Sequence, residues 1–252
     1  MSGAPVVLTR VGPALQARIN RPEAGNACSS EVMAGLEEWL AGAADPEVRA
    51  LVLTGTGRSF CAGADLAEAT ALLGDQPALR AFLDRGRALV RRVRDAGVPT
   101  IAAVNGAAFG GGLELLLACD VAVAAGSARI GDRHISVGQV PGWGSSVMLP
   151  RAVGPVLARR LLLTGETWTG AEAERHGLVS EVVADEELDG AVAALVERIA
   201  AHDPDAVRRM LRVARPDDDE AAWNREAATL AEHLAGQPDP GANPLPAALR
   251  GR

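Results

Sequence analysis

The sequence contains no lysine and no tyrosine. All 25 basic residues are therefore arginine, which excludes Schiff-base chemistry on a lysine and acid–base work by a phenol. Cysteine is scarce too. Cys28, Cys61 and Cys119 are unevenly spaced and form neither a metal-ligand pattern nor a CxxC pair. They read as small buried side chains of a reducing compartment. No apolar run reaches the ~18 residues that a membrane helix needs, and the first residues lack a basic stretch followed by an apolar core. A cytoplasmic protein without a membrane partner is expected. The net charge of −7 argues against nucleic acid as the main partner.

What is present suits a large α/β domain: 252 residues, 48% of them hydrophobic and 23% charged. Residues 5–10 and 14–20 read as strands joined by the turn Val11-Gly12-Pro13. Ser29 or Ser30 caps a helix that carries Val32, Leu36, Trp39 and Leu40 on one face. A buried strand spans 48–54, and a helix spans 78–96 with six arginines, from Arg80 to Arg94, opposite its apolar face. Those arginines read as a solvated face. Short strands follow at 121–124 and 128–130, then helices at 155–163 and from Ala171 to His176. Amphipathic helices are expected at 186–201, from Asp203 to about Val213, and after the acidic linker 215–220 as far as Leu234. The Pro- and Gly-rich tail from Gly236 reads as partly disordered.

The organising stretch is Asn105 to Asp120, NGAAFGGGLELLLACD, preceded by the buried strand Thr100–Val104. Consecutive glycines at a helix start leave backbone N–H groups without intrahelical partners or shielding side chains. The helix dipole adds partial positive charge, so the site favours a developing oxyanion. Glu114, three residues after Gly111, lies on about the same face and supplies a carboxylate able to move a proton. Two other readings stay open here: the glycines permit close packing, and Glu114 complements the dipole. Neither GxGxxG nor a GK[ST] follows, so the loop is not a nucleotide cradle.

Gly106-x-Ala108-x-Gly110-Gly111-Gly112-x-Glu114-Leu115 followed by Cys119-Asp120 resembles the signature of the crotonase superfamily, the enoyl-CoA hydratases and isomerases. The resemblance extends from about residue 5 to about residue 200. It implies an α/β fold, a crotonase-like spiral of ββα units over residues 1–200, with residues 201–252 as a helical region for oligomerisation or cover. It also implies self-association to a homotrimer or hexamer. Ala62-Gly63-Ala64-Asp65-Leu66 is similar to the family's AGxDL segment, so the backbone N–H groups of Ala64 and Gly111 are implied to form the oxyanion hole for a thioester carbonyl. By the same match Arg21, in an RPxxxNA-type segment, and Arg58, Ala62, Asp65 and Leu66 lie along coenzyme A; Asp65 reads equally as a helix cap.

One departure stands out. The family places a Pro-Glu pair before a GxxPGxG turn, and its hydratases hold one water between two carboxylates. Here Gly138, Pro141, Gly142 and Gly144 keep the turn, but the glutamate position is His134. Histidine can exchange protons near neutrality, pair with Glu114, anchor substrate, or serve the structure alone. Asp132 is a weaker candidate to orient it. Trp143, in the same turn, reads as acyl-pocket wall or as core filler.

The resemblance thus implies an acyl-CoA enzyme with Glu114 as general acid/base and His134 as auxiliary group, hydratase first. An isomerase, or a hydrolase, decarboxylase or C–C lyase of the same superfamily, is the alternative. A non-catalytic assembly protein of this fold is the reading from another class. No metal or redox cofactor is implied; coenzyme A is the substrate's handle.

Overall fold

The chain begins with a hairpin: β1 (Val6–Val11) and β2 (Ala14–Ile19) run antiparallel, Val6 opposite Ile19 and Val11 opposite Ala14. The computed structural model describes residues 3–215 and 219–236. Next comes α1 (Ser30–Ala41), where the Ser29 hydroxyl accepts the Val32 N–H and Val32, Met33, Leu36, Trp39 and Leu40 are buried.

A repeating unit then sets in, two strands followed by helix. β3 (Ala50–Gly55) and β4 (Ser59–Cys61) lead to α2 (Leu66–Ala71) and α3 (Gln76–Arg94). β5 (Thr100–Val104) and β6 (Ala107–Phe109) lead to α4 (Gly111–Ala118), and β7 (Val121–Ala125) and β8 (Arg129–Gly131) lead to α5 (Ser145–Val153) and α6 (Pro155–Thr164). The first strand of each unit enters a six-stranded sheet ordered β1-β2-β3-β5-β7-β10, and the second enters a four-stranded sheet ordered β4-β6-β8-β9. The remaining elements are β9 (Trp168–Thr169), α7 (Gly170–Arg175), β10 (Glu181–Val183), α8 (Leu188–Ala200), α9 (Pro204–Ala214) and α10 (Glu220–Ala235). This is the expected spiral of ββα units.

Parallel strands covered on both faces read as continuous apolar runs, and β3 and β5 are buried throughout. Alternate side chains feed two cores. Leu51, Leu53, Ala102 and Val104 join the main core with α1, α3 and α4. Ala50, Val52, Ile101 and Ala103 face Leu188, Val192 and Val196 of α8.

Several boundaries differ from the sequence reading. α4 begins at Gly111, because glycine enters a first turn where few backbone bonds are yet required. α3 begins at Gln76, capped by the Asp75 carboxylate with a proline in its first turn. α8 begins at Leu188 rather than 186, after a 3₁₀ turn over Asp185–Glu187. α5 was not expected at all: it is bracketed by Gly144 and Gly154, carries Pro150 inside, and so reads as loop. Most of the Pro- and Gly-rich tail, residues 237–252, lies outside the described residues. The arginines of α3 do face outward, several in ion pairs such as Arg85 with Glu37 and Arg87 with Asp84.

Candidate active site

Two backbone N–H groups meet where the spiral turns. β6 ends at Phe109, Gly110 (φ 51°) turns the chain, and Gly111 opens α4 with an N–H that has no intrahelical acceptor. The second comes from the loop after β4. Ala62 N–H donates to the Gly25 carbonyl at 3.0 Å, Cys28 N–H to Gly63 at 2.7 Å, and Asp65 N–H to Cys28 at 3.2 Å. These bonds pin the loop and leave the Ala64 N–H without an acceptor among the described residues. A Cβ on Gly111 would lie 3.2 Å from the Ala64 nitrogen and would overlap the Trp143 indole. Only glycine brings the two donors this close. Asn105 steadies the turn between β3 and β4, accepting the Gly55 N–H at 2.9 Å and donating to the Gly57 carbonyl at 2.9 Å.

The donors open into a cavity of about 360 Å³ lined by Leu66, Leu79, Leu83, Val140 and Trp143, with Leu230 and Leu234 of α10 as cover. Trp143 is buried, wedged between Gly86 of α3 and Gly111 of α4, where a Cβ at either position would overlap the indole. It is thus both core and cavity wall.

Polar groups gather at one end. Glu114 is 1% exposed. Its Oε1 accepts the N–H groups of Trp143 at 2.8 Å and Ser145 at 3.0 Å, at the N-terminus of α5. Its Oε2 faces His134 Nε2 at 4.0 Å. His134 opens a short 3₁₀ turn, His134–Val137, entered through Arg133 in the left-handed region (φ 57°). Asp132 Oδ1 accepts the His134 backbone N–H at 3.2 Å and lies 3.0 Å from Nδ1. The Asp132 contact places the proton on Nδ1 and turns Nε2 toward Glu114. The 4.0 Å gap is too long for a direct bond and leaves room for one bridging oxygen.

Charge follows from burial. Desolvation pushes the Glu114 carboxyl well above the usual carboxylate range; His134 opposes this, Glu226 and Asp132 add to it, and the Ser145 N–H pulls the other way. Burial disfavours a charged His134, but the Asp132 carboxylate and its hydrogen bond outweigh that, and with Glu114 and Glu226 hold the imidazole up to about 9. Burial would raise Asp132, yet His134 keeps it below its ordinary value. Near neutral pH the site therefore favours an Asp132–His134 ion pair beside a Glu114 whose burial favours the protonated carboxyl.

A family model described as enoyl-CoA hydratase/isomerase matches residues 13–232. The chain belongs to that family. It is 42% identical over 174 residues to a "Probable enoyl-CoA hydratase" of Mycobacterium bovis, covering 68% of this chain and 65% of that relative's length. It is 40% identical over 192 residues to a crotonyl-CoA hydratase of Syntrophomonas wolfei, covering 75% of this chain and 73% of the relative. Among solved structures, a carnitinyl-CoA dehydratase from Mycobacterium avium superposes with a TM-score of 0.83 at 36% identity, covering 93% of this chain and 94% of that one.

In this family member Ala64, Gly111, Glu114, His134, Ala62, Leu66 and Trp143 all line one cavity. Arg21 and Asp65 stand apart from its lining and hold each other: Nη1 to Oδ2 is 2.7 Å, and the Asp65 carboxylate also caps α2 through the Ala67 and Glu68 N–H groups. Arg58 is exposed. The motif residue Asp120 serves structure, accepting from Thr100 and from a fork of Arg215, both arms at 2.8 Å. Sequence reasoning missed Glu226, a buried carboxylate of α10. Its signal was present, since it shares the apolar stripe of Trp223 and Leu230.

Proposed function

We propose that the protein adds water across the double bond of a 2-enoyl-CoA thioester. The observation that carries this reading is the 4.0 Å gap between Glu114 Oε2 and His134 Nε2, next to two backbone N–H groups free to hold an oxygen. The thioester oxygen accepts from Ala64 and Gly111 N–H, which favours the enolate as it forms; one such donor is typically worth about 2.7–4 kcal/mol. In the form of the enzyme with Glu114 ionised, a water between Glu114 and His134 gives one proton to the carboxylate while its oxygen bonds to the β carbon. The electron pair of the double bond moves onto the thioester oxygen. When the enolate collapses, protonated His134 gives its Nε2 proton to the α carbon. Glu114 then returns the water's proton to His134, and the site is restored with one water added to substrate.

Asp132 suits His134 to this work by keeping it charged in a buried place. The aliphatic lining favours a hydrocarbon acyl chain. Ala62 and Leu66 at the cavity wall, with Arg21 and Arg58 from neighbouring loops, are read as the coenzyme A side, and Asp65 as the partner of Arg21 and the cap of α2. Self-association to a trimer or hexamer is part of the proposal: α9 exposes Met210 and Val213 and buries none of its residues. No helix among the described residues is long and apolar enough to cross a membrane; a cytoplasmic location is part of the proposal.

The test is incubation of purified protein with crotonyl-CoA and longer 2-enoyl-CoAs, following loss of conjugated thioester absorbance and product mass. A gain of one water supports the reading. Conversion of 3-enoyl-CoA without hydration would instead make it an isomerase, and tight acyl-CoA binding without turnover would leave a binding protein.

A further inference from the structure

Helix α10 lies behind the turn that supplies Glu114 with its hydrogen bonds. Trp223, Glu226 and Leu230 recur three and four residues apart, so they share one face, and all three are buried. Two of them meet the turn before α5 and the third meets the first turn of α5 itself. A Cβ on Gly142 would overlap Leu230, and one on Gly144 would overlap Trp223. Glu226 Oε2 accepts the Ser146 N–H at 2.9 Å and also the Ser146 hydroxyl. Between these contacts sit Trp143 and Ser145, whose N–H groups fix Glu114 Oε1. The start of α5 is therefore held by two carboxylates, Glu114 from one side and Glu226 from the other. Glu226 Oε1 is buried and has no hydrogen-bond partner among the described residues.

We infer that Glu226 is a positioning residue of the reaction: from the C-terminal helix it locks the turn that aims Glu114, and its buried charge biases the Glu114–His134 pair. This rests on the hydratase reading of the same site. The groups facing the pair are Glu114 of α4, Asp132 and His134 of the segment before α5, and Glu226 of α10. Further along the α10 contacts lie His233, against the Gly138 carbonyl, and Arg91 and Arg94 of α3, over the Trp223 ring with Arg91 paired to Glu220. Burial pushes the Glu226 carboxyl up as well, opposed by the Ser146 hydroxyl and N–H groups and by His134; where Glu226 is ionised, its negative charge favours the protonated forms of both Glu114 and His134.

Glu226→Gln keeps an oxygen for the Ser146 N–H and removes the charge. Both limbs of the kcat/KM pH profile for crotonyl-CoA should move to lower pH, with the maximum within a few-fold of wild type. Glu226→Ala also frees the turn, so kcat should fall at least tenfold while KM changes little. The imidazole of His134 is titrated in parallel by nuclear magnetic resonance, its signal assigned with His134→Gln. It should titrate at lower pH in Glu226→Gln whether or not the enzyme turns over crotonyl-CoA. An unshifted profile and an unshifted His134 titration would overturn the inference. A shifted titration in a protein inactive on every enoyl-CoA would instead leave Glu226 in place and reject the hydratase reading.

Discussion

Glu114 does two jobs that separate experimentally. Its Oε1 satisfies the Trp143 and Ser145 N–H groups at the start of α5, while its Oε2 faces His134 Nε2 across the gap assigned to water in the proposed reaction. In Glu114→Gln the amide oxygen can take both N–H bonds, so α5 stays capped. The buried carboxyl, whose charge desolvation opposes, becomes a neutral amide, and thermal stability should hold or rise. The proton acceptor is lost, however. General acid–base catalysis is worth typically 10²–10⁴-fold, so kcat should fall by that factor, about 2.7–5.4 kcal/mol. Glu114→Ala strands two buried N–H groups at about 1–3 kcal/mol each, or about 2–6 kcal/mol together. At about 2–4 °C per kcal/mol for a chain of this size, Tm should drop by at least 4 °C. The assay is crotonyl-CoA hydration beside scanning calorimetry of both variants. A Gln variant within tenfold of wild type, or an Ala variant as stable as wild type, would refute the reasoning.

Asp132→Asn keeps an acceptor for the His134 N–H groups but removes the charge that offsets burial. The imidazole should then fall from about 9 to or below the usual ~6.5, and the basic limb of the pH–rate profile should move down with it. Unchanged activity at pH 8.5 would show that His134 need not be protonated. Asp65→Ala removes the cap of α2 and the partner of Arg21, costing about 0.5–2 kcal/mol for the cap alone, with KM for crotonyl-CoA within a few-fold of wild type. Burial raises the Asp65 carboxyl, but Arg21 and the helix N–H groups outweigh that and hold it low. Its stabilisation is therefore present above the ordinary carboxyl pKa and fades as pH falls through the lowered one. Calorimetry at pH 7 and in acid checks this: the Tm gap between variant and wild type should narrow in acid, and a tenfold rise in KM would return Asp65 to coenzyme A binding.

Much of this was legible because the relevant signals are local. The largely apolar strands β3 and β5, the glycine run before Glu114 and the Ser29 cap each declare an element within a few residues. The spiral itself came from the family resemblance, since β4 and β6 are three residues long and carry little periodicity. α5 stayed hidden because its ends are glycines and its middle holds a proline. At the site, the family resemblance placed His134 at the position of the missing glutamate. It gave no distance to Glu114, because the two approach through the packing of α4 against the turn before α5. Asp132 was the weaker candidate and emerges as the partner that keeps His134 charged. Glu226 needed tertiary structure, lying more than a hundred residues from Glu114 in the chain.

The central claim is that His134, with Asp132 behind it, takes the place of the family's second carboxylate. The most direct test is crotonyl-CoA hydration by wild type and His134→Gln, with acyl-CoA affinity measured on both. The account predicts hydration by wild type and a loss of at least 10²-fold in kcat for the variant, with affinity unchanged. A variant that hydrates crotonyl-CoA as fast as wild type would contradict it.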